Sequence, residues 1–100
     1  MEETTEQTKM TDDDLVIKVM EAMSMFEEDE DVKKTIKSKV LAVRSYLIGS
    51  GANIKDNENI DDEVINCMAI GVNDLLNGKP GDVKFSPGFN VLAMHICCTK

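Results

Sequence analysis

Apolar positions recur at helical spacing in four stretches, and polar or glycine-containing segments separate them. In the first stretch, Leu15, Val19, Ala22, Met23 and Phe26 fall on one face, and Val16, Ile17 and Met20 widen it. Thr11 is a natural cap, and Asp12, Asp13 and Asp14 place negative charge at the positive end of the helix dipole. The pattern predicts a helix that ends near Phe26, before the acidic run Glu27–Asp31. That run reads as a solvated turn leading into the next helix, because like charges repel.

The second stretch, Asp31 to Ile48, carries the clearest stripe: Val32, Ile36, Val40, Val43 and Leu47. Lys33, Lys34, Lys37 and Arg44 lie off the stripe and read as a solvated face, with contact to DNA phosphate or an acidic neighbour as the alternative that makes them a candidate charged contact face. Leu41 and Ile48 sit among those basic residues, so they meet either another part of the chain or another subunit. Gly49-Ser50-Gly51 ends the helix. A polar loop follows, and an Asp or Asn within Asn59–Asp61 is placed to cap the third helix.

The third helix is expected from Asp61 to Leu76, with Val64, Met68, Val72 and Leu75 facing the core and Ile65, Ala69 and Leu76 beside them. Gly71 lies near that stripe. A helical glycine costs about 1 kcal/mol against alanine, which a close helix–helix approach would offset. Asn77-Gly78 predicts a left-handed stop. Lys79-Pro80-Gly81 is a turn, and Asp82–Phe85 alternates like a short extended segment. Ser86-Pro87 then opens the last helix, where proline's missing N–H does no harm. Phe89, Leu92, Ala93 and Ile96 make one face, and Val91, Met94 and Cys98 make the opposite one. Only Asn90 and His95 interrupt the apolar surface. A helix greasy on both sides needs cover on both sides, and a partner is the expected source of the second cover.

The expectation is therefore all-α: a compact bundle of about four helices, residues 11–100, behind a flexible acidic tail, residues 1–10. At 100 residues one domain suffices, and roughly 60–65% of the unfolded surface is buried in a chain this short. With no Trp and seven Met, the core is aliphatic with adaptable thioether filling. The net charge of −8 disfavours a dedicated nucleic-acid binder. No apolar run reaches the ~20 residues of a membrane span, and the acidic start is unlike a secretory signal. These features predict no membrane, an intracellular site of synthesis and reduced cysteines.

Candidate chemistry is sparse. His95, Cys97, Cys98 and Cys67 include enough ligand types for a metal, but adjacent helical cysteines point about 100° apart and the spacing is no zinc pattern. His95 and Cys98 are close enough along a helix to meet, yet no orienting third group accompanies them. The acidic segments lack the glycine an EF-hand needs, and NGKPGD lacks Walker spacing. No catalytic, metal or cofactor site is assigned, and no enzyme activity is expected.

The order of segments is similar to one family. LVIKVMEAM, an acidic turn, VKKTIKSKVLAVRSYLIGSG and then AIGVNDLLNGKPGDVKFSPGFNVLAMHI, together spanning Thr11–Ile96, resemble the small helical head–tail connector proteins of tailed phages and prophages, also described as DNA-packaging or head-completion proteins. AIGVNDLLN and VKFSP carry most of the likeness, and both are packing patterns. The ICCTK end departs from it. The resemblance implies a homo-oligomeric ring at the head–tail joint of the virion, assembled in the bacterial cytoplasm between the portal and the tail-completion proteins. DNA would pass through its channel without sequence-specific contact. Leu41, Ile48, Val91, Met94 and Cys98 would then be candidate subunit contacts. A small intracellular helical adaptor or regulator with a groove for a partner is the alternative that the same apolar faces allow.

Overall fold

The computed structural model describes residues 10–26, 28–78 and 85–99. The protein is all-α, a compact globule of four helices: α1 Asp12–Ala22, α2 Glu30–Gly49, α3 Asp62–Asn77 and α4 Pro87–Thr99. No strand occurs among the described residues. Most of the segment expected to be extended, Asp82–Phe85, lies outside them, as does the tail up to residue 9.

Local chemistry sets each helix start. Thr11 accepts the Asp14 N–H at 3.0 Å. Asp29 accepts Asp31 and Val32 at 2.8 and 3.2 Å. Asp61 accepts Val64 at 3.1 Å, and Ser86 Oγ accepts Phe89 at 3.3 Å. Each cap satisfies backbone donors that have no partner inside the helix.

The ends of α1 and α2 share one device. Beyond α2, Gly51 has φ +114°, and the N–H of Ala52 returns to Leu47 O at 2.9 Å while Gly51 N–H returns to Ile48 O at 3.0 Å. Beyond α1, Ser24 takes the same position with φ 56°, and Met25 N–H returns to Met20 O at 2.9 Å. This early stop corrects the first stripe. Residues after Ala22 leave the helical rotation, so Phe26 stands 86% exposed, and Ala22, the last helical residue, is exposed as well. Val32 also departs from its expected place, at 39% exposed. It lies in the first turn of α2, ahead of Ile36, where the buried stripe begins. The end of α3 differs too: Gly78 is extended at φ −88°, ψ 157°, so no left-handed residue stops the helix.

The centre of the fold is α3, which packs against α1, α2 and α4. It buries Val64, Ile65, Cys67, Met68, Ala69, Gly71 and Val72, a face broad enough for three neighbours. Leu15 and Val19 of α1 and Val40, Val43 and Leu47 of α2 are fully buried beside it. α1 and α4 both meet α3 but barely meet each other. A β-carbon built on Gly71 would stand 2.7 Å from Phe89 Cε1 and 3.2 Å from Val43 Cγ1. Gly71 is thus the point where α4 is drawn close to α3, as its place in the sequence led one to expect. Phe89 is fully buried there, stacked on Phe85 at 4.1 Å and tilted against Tyr46 at 5.8 Å.

Candidate assembly surfaces

Three places on the surface combine reach and chemistry: the outer face of α4, a groove between α1 and α2, and a polar clamp at the foot of α1.

α4 turns Phe89, Ala93 and Ile96 inward, with Leu92 and Cys97 half-buried at the margin. Its other side leaves Val91 67% and Met94 68% exposed, with Cys98 exposed beside them. Two anchors hold this orientation. The Ser86 N–H donates to Asp74 Oδ2 at 2.8 Å, tying the start of α4 to the end of α3. His95 pairs with Glu63 across the same two helices. The greasiest helix of the sequence is therefore covered on one side only.

The groove is a feature the stripes alone did not show. It encloses about 650 Å³, and Val16, Ile17, Met20, Met25 and Phe26 supply its apolar surface. Ile17 is 53% exposed. Phe26 reaches this edge only because Ser24 turns the chain out of α1. Lys33, Lys34 and Lys37 rim it from α2, and Asp13, Glu21, Glu28 and Glu30 add acidic groups.

The expected basic face of α2 is largely paired within the chain. Lys37 Nζ meets Asp13 at 3.0 Å, Arg44 Nη1 meets Asp12 at 2.7 Å, and Lys33 lies 3.8 Å from Glu30. Lys34 makes no ion pair with a described residue. The acidic first turn of α1 thus faces the positive end of its own helix dipole and neutralises its neighbour at once. Leu41 and Ile48 are both half-buried. Ile48 packs against the core, so its cover comes partly from its own chain.

The clamp centres on Asn57, a buried polar residue that periodicity has no means of revealing. The turn Lys55–Asn57 puts Asp56 and Asn57 at φ 64° and 61°, a left-handed region that Asn and Asp tolerate. Asn57 Nδ2 donates to Met10 O at 2.8 Å and Asp12 Oδ1 at 2.9 Å. Its Oδ1 accepts from Arg44 at 2.7 Å. Met10, the last residue of the expected tail, is thus held to this turn through its carbonyl. The Asn57 amide, and after it the Arg44 guanidinium, hold the Asp12 carboxyl below its ordinary value of 3.8. A carboxyl lowered on folding stabilises the fold in full well above pH 3.8, and that stability is lost as pH falls through the lower folded value. Asn57→Gly keeps the left-handed turn and removes the whole side chain, its amide included. It is expected to cost about 1–2 kcal/mol in urea unfolding and to flatten the loss of stability on acidification.

The sulfur and imidazole groups each make their own contact. Burial pushes the Cys67 thiol up to about 12, so it stays protonated and unreactive near neutral pH. Its Sγ lies 4.0 Å from Phe89 O, and Cys97 Sγ lies 3.8 Å from Leu47 O. His95 is turned to Glu63. Among the described residues, no three His, Cys, Asp or Glu side chains gather as a metal site, and no described helix is long and apolar enough to cross a membrane.

Comparison with family models, with curated proteins and with solved structures finds no match for this chain.

Proposed function

We propose that this protein is a non-catalytic connector subunit that forms a homo-oligomeric ring between the portal of a tailed-phage or prophage head and the tail. The observation that carries the reading is the outer face of α4. Val91 and Met94 are two-thirds exposed on a helix with no Asp, Glu, Lys or Arg. Apolar surface of this kind is stabilised by removal from water, at roughly 25 cal/mol per Å². The groove between α1 and α2 provides a second, different apolar surface, and two unlike patches per subunit are what a closed head-to-tail ring requires. The electrostatics suit a passage for DNA. The chain carries −8, and Lys33, Lys37 and Arg44 are engaged by carboxylates of the same chain, so α2 offers little grip on phosphate. The segment order over Thr11–Ile96 resembles that of connector proteins, as set out above.

Electron microscopy of the purified chain, alone and mixed with a tailed-phage portal protein, tests the reading. Closed annular particles are expected. Val91→Glu combined with Met94→Glu should abolish them while leaving the melting temperature within a few degrees, because both positions face water in the single chain. Annular particles that persist in the double variant would refute a role for α4.

A further inference from the structure

We infer that the outer face of α4 of one copy seats in the α1–α2 groove of the next; this rests on the ring reading above and names its contact. Charge selects the occupant. Two copies that each carry −8 repel wherever carboxylates meet carboxylates. α1, α2 and α3 all bear Asp or Glu, whereas α4, PGFNVLAMHICCT, has none. It is the one described helix that can enter an acid-bearing groove without like-charge conflict. The groove also answers the polarity of α4. The last turn of α4 has no basic residue to offset its negative end, and Lys34, which makes no ion pair with a described residue, stands on one rim of the groove between Lys33 and Lys37, which keep their own carboxylates. With its C-terminal turn beside Lys34, α4 lays Val91 and Met94 against Ile17, Met20 and Phe26. Because α1 and α4 scarcely touch, the two patches do not cover each other within one chain. A second copy satisfies both, and the contact propagates.

Cys98 supplies a native probe on the α4 face. The test mixes the natural chain with an Ile17→Cys/Cys98→Ser variant under copper phenanthroline and analyses the products by non-reducing electrophoresis and peptide mapping. The expected result is a disulfide joining the introduced thiol to Cys98, abundant in the mixture and lost when either chain is left out. A melting curve near that of the natural chain establishes that the variant folds. A product joined only through two copies of Cys98 would overturn the proposal in favour of α4 pairing with α4. Annular particles without the mixed disulfide would overturn this contact and leave the ring reading standing. Absence of both multimers and cross-links would overturn the two together.

Discussion

Phe89→Ala is expected to cost about 4 kcal/mol, the range for removing a large buried aromatic ring. The ring is fully buried where α4 meets α3, and it is flanked by Phe85 and Tyr46 at centroid distances of 4.1 and 5.8 Å. Its loss removes apolar burial, leaves a void against Gly71 and strips two ring contacts, each worth about 0.5–1.5 kcal/mol. A domain of this size has about 5–15 kcal/mol of total stability, so the variant should lose a large share of it. The urea midpoint measures this directly. If the variant proves too weak to purify, Phe89→Leu, which fills most of the space, should give a smaller shift of the same sign. A loss below about 1 kcal/mol for Phe89→Ala would mean that α4 is not anchored there.

Gly71→Val is expected to destabilise by about 3 kcal/mol, at the upper end of the usual cost of overpacking. Replacing a helical glycine ordinarily gains up to about 1 kcal/mol, so propensity alone predicts the opposite sign. The neighbours decide it. Even a single added carbon would stand 2.7 and 2.9 Å from two Phe89 ring atoms, and that ring is held by its own stack. The branched side chain adds two further carbons to the same gap. Coupling gives a sharper check. Gly71→Ala and Phe89→Leu share one contact, so the double variant should lose less stability than the sum of the singles. Strict additivity would show that the two positions do not meet.

The four helices were legible because their signals are local. Period and caps are written in adjacent residues: Thr11, Asp61, Ser86-Pro87 and Gly51 each sit where a helix begins or ends. What escaped was what depends on residues far apart. Val32 continues the α2 stripe in sequence, but it lies in the first turn at 39% exposed, ahead of the buried run that starts at Ile36. Ser24 gives no glycine signal, yet its left-handed backbone stops α1 early and exposes Phe26. The central place of α3, packed against all three other helices, was written in no single stripe. Of the surfaces, Val91, Met94 and Cys98 were readable as the outer face of α4 from spacing alone. The groove was not, because it belongs to two helices at once. Asn57 lay hidden among loop residues, since nothing in a turn sequence announces that Met10, Asp12 and Arg44 will converge on it.

The central claim is that one copy exposes apolar surface which further copies cover. Sedimentation velocity of the natural chain over a wide range of concentration tests it most directly. The account predicts a sedimentation coefficient that climbs with concentration toward one closed species, and a double Val91→Glu/Met94→Glu variant that stays monomeric throughout. A single monomer boundary for the natural chain at every concentration, unchanged when the portal is added, would contradict it.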